Sequence, residues 1–400
     1  MPTPLLCGEV VTMRIVFVIL SCVALASCSG AIRSLPPSSA ADRALGPSRA
    51  SSTYKSIFSF DGANGAVPYA GLVDVNGTLY GTASIGGQGP GVVFKITPAG
   101  AQSVLYSFKG GSSGSAPYAP LIVAGGSLYG TTITGGAASC GVVFRVTLAG
   151  AEKKLHSFKN NADGCLPEAP LLDVKGTLYG TTRNGGTHSD GTVFRITTSG
   201  SEKVLYAFKG STYDDAGSPT AGLTDVKGVL YGTTNGGGPK QEGTVFKITF
   251  SGNEKVIHIF NGSNGNGPLS KLLAVKGILY GTTSSGGAKN LGTVFTVTKS
   301  GAVKVLHSFR GGADGATPPF GGLVDLKGTL YGVTSVGGKN NTGTIFSITP
   351  AGKESVLYSF SGGVDGANPS GSLASVGNVL FGTTTAGGLN GKGTVYSIQP

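Results

Sequence analysis

Residues 177–208 read TLYGTTRNGGTHSDGTVFRITTSGSEKVLYAF. Three runs rich in β-branched and aromatic residues are visible: Thr177–Thr182, Gly191–Thr197 and Glu202–Phe208. Gly185-Gly186 separates the first from the second, and Ser199-Gly200 the second from the third. A fourth run, Ala169–Val174, precedes them and stops at Lys175-Gly176. Each run is too short for an ordinary helix, and composition and boundaries both read as strands. The four are designated a, b, c and d in chain order.

The same phrase recurs. Leu-Tyr-Gly starts at Leu79, Leu128, Leu178, Leu230, Leu279 and Leu330, and Leu380-Phe381-Gly382 is the last copy. A period near fifty residues is the signature of a repeat architecture, each unit too small to bury both its faces alone. Four antiparallel strands in about fifty residues describe a propeller blade. The expected fold is therefore all-β, a seven-bladed propeller over residues 53–400. In Val193, Phe194 and Ile196 the apolar residues occupy both faces of one strand, as expected when blades cover it on each side. The body opens on Tyr54–Phe60, a d run with nothing before it, and ends on Gly393–Gln399, a c run with nothing after it. The first strand should complete the last blade, closing the ring and removing two exposed edges.

The N-terminus reads as an address. Met13-Arg14 precedes the apolar run Ile15–Ala26, the pattern of a secretion signal too short to span a membrane. Residues 1–27 are expected to be this signal, with Met13 as a candidate true start. Residues 28–52, rich in Ser, Ala and Pro, read as a tether. At about 3.3 Å per residue it could extend roughly 70 Å. Once Cys7 and Cys22 leave with the signal and Cys28 is set aside, Cys140 and Cys165 remain, and an exported pair is expected to form a disulfide.

Leu25-Ala26-Ser27-Cys28 resembles the lipobox of bacterial lipoproteins. That resemblance implies a lipid on Cys28, a membrane partner and, with Ser29 following, the outer membrane where the cell has one. The LYGTT, GG, GTVF-x-I and LYSF phrases resemble the GloVer tandem repeat, a bacterial family, over all seven units. The resemblance implies an exported, surface-attached propeller and implies no reaction. A weaker similarity to kelch propellers extends to the fold alone, because kelch blades carry a tryptophan and this chain has none.

Lys and Arg number 30 against 19 Asp and Glu, a net charge of +11, which favours acidic partners such as anionic polysaccharide or lipid headgroups. Nucleic acid is not expected, since no basic stripe or recognition helix is visible. Lysines recur at the a–b turns (Lys175, Lys227, Lys276, Lys327), yet Lys109, Lys159, Lys209 and Lys289 fall near the other end, so the charge is not one-sided.

Residues repeated in every blade serve the ring, so function is sought where one blade departs. His156, His258 and His307 replace the Tyr106, Tyr206 and Tyr358 of other d runs and read as packing. His188 differs. It lies in a b–c loop beside Asp190, and the following d–a loop carries Tyr213, Asp214 and Asp215. Loops of these two kinds leave a blade at the same end. Arg183, His188, Asp190, Tyr213, Asp214, Asp215 and Glu168 therefore form the candidate ligand face. An imidazole among carboxylates could do acid–base work, but the spacing fits no metal motif. The Asp-Gly pairs of the d–a loops offer one acid each and read as turns, not as a calcium cage. No cofactor motif or nucleophile elbow is present. The preferred function is a monomeric surface-anchored binding scaffold. The alternative is an extracytoplasmic lyase or hydrolase acting through blade-specific loops, and a third reading is a purely structural envelope protein.

Overall fold

The computed structural model describes residues 52–160, 162–210 and 215–400. Cys28, the signal and all but the last residue of the tether lie outside them, as do Tyr213 and Asp214. Seven four-stranded antiparallel blades form a propeller, each with its strands in the order a–b–c–d. Blade 3 is typical: Leu172–Val174, Thr177–Thr182, Thr192–Thr197 and Glu202–Ala207. Strand a is shorter than the sequence suggests. Pro167 and Pro170 lack the N–H that a ladder needs, so Ala169–Leu171 stays outside the sheet. In blade 7 the d position is taken by Thr53–Ser59, which pairs antiparallel with Thr394–Gln399.

The anchor phrase has a packing reason. Its leucine and the aromatic that follows, tyrosine in six blades and Phe381 in the seventh, are buried in every blade, as Leu178 and Tyr179 show. Its glycine makes room for the strand-c aromatic. A Cβ on Gly180 would sit 2.5 Å from Phe194 Cζ and 2.9 Å from Leu171 Cδ2, well inside contact distance. The phenylalanine that follows each d strand packs edge to face on the strand-c ring of the next blade. Phe158 meets Phe194 at 5.2 Å, Phe208 meets Phe246 at 5.1 Å and Phe260 meets Phe295 at 5.1 Å. Phe360 meets Tyr396, and Phe60 meets Phe94, so the set includes the contact between blades 7 and 1. These rings are fully buried and form the core between sheets. Edge-to-face pairs favour this geometry beyond simple area burial.

Strands a of neighbouring blades lie side by side, in blades 1 and 2, 2 and 3, 4 and 5, 5 and 6, 6 and 7, and 7 and 1. They therefore surround the axis, and the d strands form the rim. Cys140, before strand c of blade 2, is joined by a disulfide to Cys165, in the loop after strand d of the same blade. The strands and buried clusters of the described residues all lie within the compact unit Ala50–Pro400. Among the described residues no helix is long and apolar enough to cross a membrane.

Candidate functional site at the axial mouth

Between each d–a turn and strand a, the chain crosses one end of the ring toward the axis. It carries the pattern Pro-x-Ala-x-Leu, as in Pro68–Leu72, Pro117–Leu121 and Pro167–Leu171, with small replacements for alanine in later blades. The leucine is buried in all seven blades. Strand-b threonines hold several of these segments from the neighbouring blade. Thr181 Oγ1 donates to Ala221 O at 3.2 Å, Thr233 Oγ1 to Ser270 O at 3.4 Å and Thr383 Oγ1 to Ala70 O at 2.9 Å.

Seven such segments enclose a cavity of about 450 Å³ on the axis. That volume lies in the range of small-molecule sites. Seven equal blades would line it with seven equal residues, but the position after the proline reads Tyr69, Tyr118, Glu168, Thr220, Leu269, Phe320 and Ser370. In blade 6 a second proline, Pro319, intervenes. Tyr69 and Tyr118 stack with centroids 4.3 Å apart and planes at 15°. Phe320 is 45% exposed although it lines a cavity. Thr220 is 3% exposed, and its Oγ1 is buried with no hydrogen-bond partner. A buried hydroxyl without a partner is costly.

Three charged groups line this cavity: Glu168, Arg183 and Lys271. Arg183 Nη1 donates to Glu168 Oε1 at 3.3 Å. In four blades the residue at this position is a serine or threonine that closes its own loop: Ser84 Oγ donates to Val67 O, Ser284 Oγ to Gly267 O, Ser335 Oγ to Thr317 O and Thr385 Oγ1 to Asn368 O. Blades 2 and 4 place Ile133 and Asn235 there, and blade 3 alone places a charged side chain, the Arg183 guanidinium, in the cavity wall. Burial raises the Glu168 carboxyl above its ordinary value, with Arg183 pulling the other way. Burial lowers the Lys271 ammonium. Burial, then the neighbouring Tyr69 hydroxyl, with Glu168 a smaller contributor, pushes Tyr118 up to about 12.

The residues expected to share one face divide into two groups. Arg183 and Glu168 line the axial cavity; His188, Asp190 and Asp215 do not. His188 Nδ1 is bonded to Thr187 Oγ1 at 2.9 Å in the exposed b–c loop. Asp190 lies against Gly210, and its carboxyl is raised by burial, then lowered by His188 and raised by Asp215. Asp215 is buried and serves the fold: it accepts from Tyr206 Oη at 2.7 Å and from the Lys209 amide at 3.0 Å. His156 and His307 have the same framework, bonded to Asp163 and Asp314 and packed edge to face on Phe158 and Phe309. His307, Asp314 and Glu354 stand close enough to hold a cation, but Asp314 already binds both His307 and the Arg310 amide. Tyr358 with Asp365 repeats the arrangement with a phenol in the next blade, which assigns it to hydrogen bonding.

The fold and its axial chamber define a seven-bladed β-propeller with a blade-specific mouth. The chain belongs to the Gloeobacter/Verrucomicrobia repeat family, whose model matches residues 47–232 and 210–396. Among solved structures it is similar to a "putative 6-phosphogluconolactonase" from Bacteroides uniformis, with 14% identity and a TM-score of 0.51, over 78% of this chain and 88% of that one. It is also similar to a puromycin-hydrolyzing peptidase of Mycobacterium tuberculosis, with 12% identity and a TM-score of 0.50, over 81% of this chain and 50% of that one. At such identities the likeness concerns the fold alone. No curated protein matches.

Proposed function

We propose that this protein is an exported binding propeller, held at the envelope by a lipid on Cys28, whose ligand sits in the axial cavity. The observation that carries the binding site is the divergence of the seven axial residues, Tyr69 to Ser370, between a proline and a leucine that hardly change. A ring needs those two in every blade; it has no use for a different residue beside each proline. The stacked tyrosines, the exposed Phe320 and the Arg183–Glu168 pair are what a ligand with both apolar faces and polar edges requires. Anchoring rests on the apolar run Ile15–Ala26 and the cysteine that follows it. The tether then gives the ring room to stand off the membrane and receive ligand.

Two experiments test this reading. Thermal shifts of the Ala50–Pro400 unit across a glycan and small-molecule panel should reveal a ligand whose effect disappears in Tyr118→Ala and persists in His188→Ala. The opposite pattern would move the site to the blade 3 loops. In cells, labelled fatty acid should enter the full chain and be lost in Cys28→Ser; equal labelling of both would remove the anchor.

A further inference from the structure

The charge of the axial cavity narrows its ligand. Glu168 and Arg183 neutralise each other at 3.3 Å. Lys271 has no carboxylate beside it among the lining residues other than the already paired Glu168. An ammonium drawn out of water without a counter-charge is unfavourable, and burial lowers its proton affinity here. An anion brought by the ligand would reverse both effects. The cavity's net charge of one positive unit matches one negative charge, not the two of a phosphate monoester. The rest of the wall is chemically mixed. Tyr118 and Phe320 supply aromatic carbon, while Ser372 supplies a hydroxyl and the Arg183–Glu168 pair supplies donors and acceptors. A flat apolar acid would use only the first. A sugar ring covers an aromatic face with its C–H side and satisfies hydroxyls at its edge.

We infer that the axial cavity binds a carboxylated sugar unit, a hexuronate, with Lys271 reading the carboxylate and Tyr118 or Phe320 carrying the ring. This rests on the axial cavity being the ligand site. Arg183 and Glu168 form the adjoining wall, where a paired guanidinium and carboxylate present both donors and acceptors to sugar hydroxyls. Lys271 is specific to blade 5: the equivalent position is Gly71, Pro120, Pro170, Gly222, Gly322 and Ser372 in the other blades. A cation therefore stands at a position that is uncharged in the other six blades.

The test is isothermal titration of the Ala50–Pro400 unit with hexuronate oligosaccharides and with the same oligosaccharides after reduction of their carboxyls to alcohols. The acids should bind at least tenfold more tightly. Lys271→Gln should bring the two series to equal affinity without lowering the melting temperature, and Tyr118→Ala should weaken both series together. Equal binding of the two series, unchanged by Lys271→Gln and abolished by Tyr118→Ala, would overturn the acidic-sugar assignment and leave the axial site standing. Saturable binding that survives both Tyr118→Ala and Lys271→Gln would overturn the axial site as well. Binding of neither series would overturn the hexuronate assignment, and the wider ligand panel would then decide the site independently.

Discussion

The rings of Phe360 and Tyr396 meet edge to face, with centroids 5.2 Å apart and planes at 66°. The same contact joins every pair of neighbouring blades, but only here is the strand-c ring a tyrosine. The Tyr396 hydroxyl is buried without a hydrogen-bond partner and lies against Gly382. Burying an unsatisfied hydroxyl costs about 1–3 kcal/mol. Tyr396→Phe should therefore stabilise the ring by about 1 kcal/mol, seen as a higher urea midpoint at unchanged slope. A lower midpoint would mean that the hydroxyl has a partner.

Gly180 should tolerate no side chain. Its Cβ would meet Phe194 and Leu171, both fully packed, so Gly180→Ala is expected to cost about 1–3 kcal/mol through overpacking. Gly363, with only Ser361 Oγ at 3.5 Å, is the control, and Gly363→Ala should leave the melting temperature within a degree or two. Equal effects at the two sites would contradict the packing account of the anchor phrase.

Glu254 makes stability fall as pH rises. Burial, and then Asp215, raise its carboxyl from 4.5 to about 8, against a smaller opposing effect of Tyr206. The folded state therefore holds this proton more firmly than the unfolded state does between those limits. Linkage then gives a contribution that is present below the unfolded value and lost as pH climbs toward 8. Glu202, raised to about 7 by burial and Asp163, acts in the same direction. Urea midpoints from pH 5 to pH 9 should decline, and the decline should be shallower in Glu254→Gln. Parallel curves for the two proteins would exclude Glu254 as the source.

Three adjacent blades set cations directly across the c–d ladder: Arg145 opposite Lys153, Arg195 opposite Lys203, and Lys247 opposite Lys255. Like charges at opposed positions are destabilising. Lys203→Glu should add about 0.2–1 kcal/mol of stability at low ionic strength, a gain that shrinks in molar salt. A gain independent of salt would point to packing instead of charge.

The fold was largely legible because its determinants are local and repeated. Leu178, Tyr179, Gly180 and Phe194 recur at nearly fixed spacing, and every copy meets the same neighbours. The site was legible only in part. Arg183 and Glu168 entered the candidate face as charged loop residues expected at the same end of the ring as His188. His188, Asp190 and Asp215 stood out equally, but sequence alone does not show that one d–a segment serves two places. Its first half turns at the rim, where Asp215 braces Tyr206; its second half runs to the axis, where Thr220 of the same segment lines the cavity. Lys271 escaped attention because it resembles the many solvated lysines. The available signal was its position: three residues after Pro268, where the other blades have glycine, proline or serine.

The most direct test of the account is a crystal structure of the Ala50–Pro400 unit soaked with a hexuronate oligosaccharide. Density for a sugar ring within the axial cavity, against Tyr118 or Phe320 and with its carboxylate on Lys271, is the predicted result. An empty cavity with sugar bound beside His188 and Asp190, or along the outer strands, would contradict it.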